Sequence, residues 1–311
     1  MAWKFRLYVI KTKNWRKLQL KKRHLIPDDQ IIVVLDTSPI RNLAYSAQPE
    51  WVKTFEKMAA DGYSFSLADC TVGELLTQVR SGAIPQDGYD RMIESIKIFL
   101  NPDFPMLPGK LDLEAMIGVL NEPHRFEEIK YLSQVGWSQL LAPHAPSNAM
   151  GPPLGELLEE ERTDWKKILD RMAVSSLSQG IDLSASDPDD VAEFLANSIG
   201  TSLDRESDIT PSMAIRMHLE LRYIFRQMAR SKKKKSAYDP ENKKNRNDGI
   251  DLDIYKYFIL PALVVAEDSG FFESLQTIQS FQREWFYKPG ELAARWNAGE
   301  RPGPEWPVDE E

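Results

Sequence analysis

The sequence predicts an α/β fold with a parallel central sheet, because short apolar segments alternate with helical ones. The first apolar segment, Ile31–Leu35, is followed directly by Asp36, and the last, Ala262–Ala266, is followed two residues later by Asp268. Uninterrupted apolar runs of this length are typical of strands that are buried on both faces. A third candidate strand, Tyr63–Leu67, follows a helical segment. Strands separated by helices favour parallel pairing within one sheet.

The elements between and after the first two strands follow from local signals. Apolar residues at helical spacing predict a helix over residues 50–60, and Gly62 suits its C-terminal cap. Tyr63–Leu67 alternates large apolar with small polar residues, which predicts a strand with one buried face. Thr71 precedes Glu74 by three residues, a spacing that predicts a capping box at the start of the next helix.

The amino-acid composition limits which classes of protein the chain can belong to. The chain has 311 residues, of which 42% are hydrophobic and 28% charged, values that are ordinary for a soluble globular protein. Its single cysteine, Cys70, excludes an internal disulfide and a zinc site built from cysteines, and the four histidines are not spaced as metal ligands. No apolar run reaches the roughly 18 residues that a membrane span needs, so we expect no membrane partner and a cytoplasmic location.

The charge pattern and the proline-rich loops divide the chain into segments. These are a basic N-terminal segment at 1–30, a discontinuous α/β core at 31–100 and 236–285, a mainly helical insertion at 101–235, and a C-terminal tail at 286–311. The net charge is −8, which argues against a nucleic-acid footprint over the whole surface. Local basic runs, including the four lysines at 232–235, are either solvated segments or edges that hold phosphate groups around an acidic site.

Four acidic residues occupy comparable positions, at a strand end or in the helix beside it: Asp36, Glu74, Asp251 and Asp268. The carboxyl ends of parallel strands meet at one edge of a sheet, which is where open α/β sheets bind ligands. Each acid alone is also explained as a helix cap or an exposed charge. Four acids that converge on one edge predict a cation site, because hard divalent cations prefer carboxylate oxygens.

The third acid has three candidates. If the chain is helical from about Asp248, then Asp251 shares a face with Ile254 and Phe258 and lies at the top of the core-facing stripe. A carboxylate there would be costly to bury without a partner, which favours a metal or hydrogen-bonding role. Asp253 lies on the opposite face, where we expect it to be solvated, and Asp248 is explained as the helix cap but stays an alternative ligand.

Four motifs form a set: the strand end Val34-Leu35-Asp36-Thr37-Ser38, Glu74 in the helix after the second strand, the helix Asn247-Asp248-x-x-Asp251, and the apolar strand that leads to Asp268. Together they resemble a PIN domain, over roughly residues 30–100 and 240–285. The resemblance implies a three-layer α/β/α fold with a central parallel sheet, here enlarged by the mainly helical insertion. It also implies that Mg²⁺ or Mn²⁺ is held by the four acids.

The resemblance further implies an activity, because PIN domains hydrolyse phosphodiester bonds, usually in RNA. The catalytic and metal-ligating residues of a metal-dependent endoribonuclease would then be Asp36, Glu74, Asp251 and Asp268. DNA is an alternative substrate, and an inhibitory protein partner and a homodimer are further expectations. The residues expected to contact the substrate are Thr37, Ser38, Lys232, Lys233, Lys234 and Lys235.

Two departures from the family pattern leave alternatives open. PIN domains often have Thr two residues before the last acid, where this chain has Ala266, and Glu74 and Asp251 are much further apart than a small PIN toxin needs. A non-catalytic PIN-like scaffold that binds RNA or a protein is therefore the main alternative, and a toxin of a toxin–antitoxin pair is another. A phosphatase of the haloacid dehalogenase type would need a second Asp where this chain has Ser38.

Overall fold

The structure, a computed structural model, describes residues 30–107, 123–145, 163–167, 169–170, 262–270, 272 and 284–304, and in addition residues 239, 242, 245, 248, 249, 251 and 254. The chain divides into two compact units. The sheet unit comprises Leu20–Leu158 and Leu260–Glu311, and the intervening unit comprises Met1–Gln19 and Glu159–Ile259.

Strands and helices alternate along the described part of the sheet unit. In chain order they are β1 (Ile31–Leu35), α1 (Thr37–Asn42), α2 (Glu50–Ala60), β2 (Tyr63–Ala68), α3 (Asp69–Arg80), α4 (Gln86–Lys97), β3 (Met106–Leu107), α5 (Pro123–Leu141), β4 (Ala262–Val265), β5 (Phe286–Tyr287) and α6 (Pro289–Asn297). Within the described ranges of the chain, none of the helices has both the length and the apolar character that crossing a membrane requires.

The five strands form one sheet in the order β3-β2-β1-β4-β5, and every neighbouring pair is parallel. β1 is the central strand, with Leu35 opposite Leu67 of β2 on one side and Val265 of β4 on the other. Helices cover the sheet in a three-layer α/β/α arrangement, so the predicted fold class is confirmed. Because the sheet is covered, β4 is buried along its whole length and β1 from its second residue onwards.

β2 differs from the prediction of one exposed face, since all six of its residues are buried. Phe65 stacks on an aromatic ring of α2, with the ring centroids 4.6 Å apart. Ser64 and Ser66 are buried as well and have partners. Ser66 Oγ donates to the Phe104 carbonyl at 2.7 Å, and the Asn101 amide donates to Ser64 Oγ at 2.7 Å. The small polar residues of β2 therefore bind the chain that leads into β3 instead of facing water.

Two strands of the sheet lie outside the segments that we expected to form the core. β3 falls within residues 101–235, and β5 falls within residues 286–311. β3 is fixed to α5, where the Met106 N–H donates to Ser133 Oγ at 3.2 Å. With two residues each, both strands are too short to produce a periodic apolar signal in the sequence.

Arg301 and Pro302 bind residues at the amino end of the sheet, opposite the end that carries Asp36. The Tyr63 hydroxyl donates to the Pro302 carbonyl at 2.8 Å. Arg301 donates to the Asp61 carboxylate at 3.1 Å and to its main-chain oxygen at 2.6 Å. Burial raises the pKa of Tyr63 to about 12, so its hydroxyl stays protonated and remains a donor at neutral pH.

The intervening unit is described only in part. Residues 163–167 and 169–170 are helical, as are residues 248, 249, 251 and 254. Trp165 is buried, and Gly249 lies directly against it, since a Cβ at position 249 would stand 2.7 Å from the Trp165 Cβ. The absence of a side chain at Gly249 therefore permits this close approach.

Candidate functional site

The carboxyl end of the sheet has a topological switch point between β1 and β4. β2 and β3 lie on one side of β1, whereas β4 and β5 lie on its other side. Open α/β sheets bind ligands in the crevice outside the strand ends at such a point. Asp36 follows β1 directly, and Ala266, Glu267 and Asp268 follow β4. Two of the predicted acids, Asp36 and Asp268, thus flank the switch point.

Asp36 is held by both its main chain and its side chain. Its N–H donates to the Val265 carbonyl of β4 at 2.9 Å. Its Oδ2 accepts hydrogen bonds from the N–H of Ser38 at 3.3 Å and from the hydroxyl of Ser38 at 2.7 Å, which makes Asp36 the N-cap of α1. The carboxylate is therefore fixed at the junction of the central strand and the first helix.

The environment of Asp36 disfavours its charged form. Burial raises the pKa of this carboxyl, and the nearby charge of Asp268 raises it further, while hydrogen bonds from Ser38 and from the Thr37 N–H act in the opposite direction. Since the folded pKa lies above the unfolded value of 3.8, the stability that this group contributes is present below pH 3.8 and is lost as the pH rises through the folded pKa. A bound cation would oppose this loss, because it favours the carboxylate.

The loop after β4 is tied to α1. The Glu267 N–H donates to Ser38 Oγ at 3.0 Å, and the Asn42 amide donates to Glu267 Oε2 at 2.6 Å. Asp268 is exposed, and its carbonyl accepts from the Phe272 N–H at 3.2 Å. The sequence does not predict Asn42 or Glu267 as part of the site. The signal that could have found Asn42 is its spacing of four residues from Ser38 on a short helix.

Glu74 is connected to the same end of the sheet through threonines. The predicted capping box is wrong, because α3 begins at Asp69 and Thr71 lies inside the helix. The buried Thr71 hydroxyl instead donates to the Leu35 carbonyl at 3.1 Å, which docks α3 on the end of β1. Thr37 Oγ1 donates to Glu74 Oε2 at 2.5 Å. Glu74 is therefore held by the residue directly after Asp36.

Asp69 is an additional acid at this end of the sheet. It follows β2 directly, just as Asp36 follows β1, and it is half-buried. Its Oδ1 accepts a hydrogen bond from the Cys70 N–H at 2.7 Å. Its position after an apolar strand is the signal in the sequence that could have identified it.

The sheet unit brings together five of the predicted site residues: Asp36, Thr37, Ser38, Glu74 and Asp268. Asp248 and Asp251 belong to the intervening unit, where Asp248 is 7% exposed and Asp251 is half-buried. Ile254, predicted to share the face of Asp251, is buried. Asp253 and the predicted substrate contacts Lys232, Lys233, Lys234 and Lys235 lie outside the described residues.

The donor set at the switch point fits a hard divalent cation. Asp36 and Asp268 offer carboxylate oxygens, and Mg²⁺ often takes only one or two carboxylates while it keeps several waters. Among the residues for which the structure gives a position, no group of three or more His, Cys, Asp or Glu side chains is arranged to hold a metal ion. A cation here would therefore rest on Asp36 and Asp268, with water completing its coordination.

The fold and this edge define a doubly wound parallel α/β protein with a candidate acidic site at its switch point. Comparison of the chain with models of protein families, with curated proteins and with solved structures finds no match.

Proposed function

We propose that the protein is a metal-dependent nuclease of the PIN type, which hydrolyses phosphodiester bonds in RNA with Mg²⁺ or Mn²⁺ at the switch point. The observation that carries the proposal is the placement of Asp36 and Asp268 after the carboxyl ends of the neighbouring parallel strands β1 and β4. Two like charges are costly to hold together unless a proton or a cation neutralises them. This cost supports a cation site between the two strand ends.

Each residue near the switch point has a role in this proposal. Asp36 and Asp268 bind the cation, and the Ser38 hydroxyl keeps the Asp36 carboxylate in place. Glu74, held by Thr37, positions the attacking water, since among the described residues no third acid is grouped with Asp36 and Asp268 to hold the cation. When bound, the cation supplies positive charge that neutralises the phosphoryl oxygens as the bond to phosphorus breaks. Thr37 and Ser38 stay predicted substrate contacts, although each hydroxyl already donates its proton to Glu74 or Asp36.

The proposal retains the sequence-based expectations about the other residues and partners. Asp251 stays the predicted third acid, with Asp248 as its alternative, and the lysines at 232–235 stay predicted phosphate contacts. DNA is the alternative substrate. A homodimer, an inhibitory protein partner and a cytoplasmic location belong to the same proposal.

A non-catalytic scaffold that binds RNA or a protein is the second candidate function. The hydrogen bonds that Asp36 accepts from Ser38 and that Glu74 accepts from Thr37 favour it, because they give both acids a structural use. In that case the first acid caps α1, the second anchors α3, and neither needs a cation.

The test is cleavage of labelled single-stranded and structured RNAs, with DNA in parallel, by the full chain in Mn²⁺ or Mg²⁺. We expect cleavage that is abolished by EDTA, by Asp36→Asn and by Asp268→Asn. Asp103→Asn is the matched control, because Asp103 is an exposed acid that pairs with Lys130 at 2.8 Å and has no role in the site. It should leave cleavage unchanged.

Two results would contradict the nuclease proposal. No cleavage of any RNA or DNA, together with no thermal shift on addition of Mn²⁺, would leave the scaffold as the better description. Metal-dependent cleavage that persists in both Asp36→Asn and Asp268→Asn would show that the chemistry takes place elsewhere in the molecule.

A further inference from the structure

One face of α1 holds the residue directly before Asp268. Ser38 and Asn42 are four residues apart and therefore lie on the same face of this helix. Both bind Glu267, since Ser38 Oγ accepts from its N–H at 3.0 Å and Asn42 Nδ2 donates to its Oε2 at 2.6 Å. The main chain and the side chain of one loop residue are thus held by a single helix face.

The same helix face is linked to the first acid. The Ser38 hydroxyl donates to Asp36 Oδ2 at 2.7 Å. A serine hydroxyl has one proton and two lone pairs, so Ser38 can donate to Asp36 and accept from Glu267 at the same time. Hydrogen bonds therefore link Asp36 to Ser38, Ser38 to the main chain of Glu267, and the side chain of Glu267 to Asn42.

We propose that Asn42 is a positioning residue, which holds the Glu267 side chain on α1 and thereby keeps Asp268 at the distance from Asp36 that a divalent cation needs. This inference rests on the proposed function. The bond to Ser38 holds the main chain of Glu267, and the bond from Asn42 holds its side chain as well. Both ends of this residue are thus fixed directly before Asp268.

An amide suits this position because it donates to the Glu267 carboxylate without adding charge of its own. The hydrogen bond therefore holds Glu267 on α1 and leaves the net charge near Asp36 and Asp268 unaltered.

The test measures Mn²⁺ binding to the full chain directly, by the loss of the EPR signal of free Mn²⁺, so that it is independent of nuclease activity. Replacement of residues that orient metal ligands typically changes affinity by 10- to 100-fold, and we expect Asn42→Ala to weaken Mn²⁺ binding about tenfold. The double variant Asn42→Asp with Glu267→Gln keeps the net charge, but the amide donor now lies at position 267 and the carboxylate acceptor at position 42. This double variant should bind Mn²⁺ within about twofold of the unchanged protein.

Asn297→Ala is the matched control, because Asn297 in α6 also donates from its amide to a side chain, Thr54 Oγ1, at 3.3 Å. Its Mn²⁺ affinity should equal that of the unchanged protein. A purely structural role of Asn42 would lower the melting temperature without metal and leave the affinity unaltered, and this result would overturn the inference. Failure of the double variant to recover affinity would overturn it as well. Absence of Mn²⁺ binding by the unchanged protein would overturn the proposed function itself.

Discussion

The short hydrogen bond from Thr37 to Glu74 allows a quantitative test of the site geometry. The two oxygens are 2.5 Å apart, and Thr37 is only 5% exposed. A hydrogen bond to a charged group contributes about 1.5–3 kcal/mol to stability. Glu74 is half-buried, so solvent weakens the interaction, and we expect a value at the lower end, about 1.5 kcal/mol.

A double-mutant cycle isolates this contribution. The free energies of unfolding in urea, without metal, are compared for the unchanged protein, Thr37→Val, Glu74→Ala and the double variant. Thr37→Val keeps the shape of the side chain and removes its hydroxyl, so the coupling energy should be about 1.5 kcal/mol. Thr37→Ser is the matched control, because it keeps the hydroxyl and should lose only about 0.8 kcal/mol for the missing buried methyl group.

A coupling energy below about 0.5 kcal/mol would refute the reasoning, since independent sites show values of that size. It would mean that Thr37 does not hold Glu74 in solution. The connection by which Glu74 joins Asp36 at the switch point would then be lost, whatever the activity of the protein.

Three further predictions concern the sheet unit. The pKa of Asp36 is raised in the folded protein, so the Asp36→Asn variant should melt at a higher temperature than the unchanged protein in metal-free buffer at pH 7. The difference in melting temperature should shrink as the pH falls towards 3.8. A lower melting temperature of the variant at pH 7 would contradict the raised pKa. Gly88→Ala would place a Cβ 2.6 Å from the Ala44 carbonyl oxygen and should lower the free energy of unfolding in urea by about 1–3 kcal/mol. In the control variant Gly290→Ala the added Cβ meets open space, so the free energy of unfolding should not fall. Equal losses in the two variants would show that the close approach at Gly88 is absent. Tyr63→Phe removes the buried hydroxyl that donates to the Pro302 carbonyl and should lower the free energy of unfolding by about 1 kcal/mol. An unaltered free energy of unfolding would show that this hydrogen bond contributes nothing.

The strands that build the site could be predicted from the sequence because their signal is local. A strand buried on both faces needs consecutive apolar residues, and an acid within three residues of its end marks the point where the chain leaves the core. Asp36 and Asp268 are found in this way. The helix predicted over residues 50–60 is likewise present as Glu50–Ala60, because its apolar spacing is continuous.

Contacts between distant elements could not be predicted, because they leave no periodic trace in the sequence. Thr71 has the spacing of a helix cap, yet its hydroxyl binds the carbonyl of Leu35 on another element. The alternation of polar and apolar residues in a strand is the same whether the polar side chains face water or bind a buried carbonyl. The sequence therefore places Ser66 on an exposed face, whereas its hydroxyl binds a buried carbonyl. Asn42 and Glu267 are 225 positions apart, and only the folded chain brings them together.

The place of β4 in the chain determines when the site can first exist. During synthesis β1 is complete roughly 230 residues before its neighbour β4, and at about 5–20 residues per second that delay amounts to tens of seconds. Throughout this interval the nascent chain carries a central strand with one open edge, and open strand edges readily join other chains. During this time Asp36 has been synthesised but Asp268 has not. A growing chain must therefore be guarded against aggregation for a long time, and the candidate site is incomplete until β4 has been added.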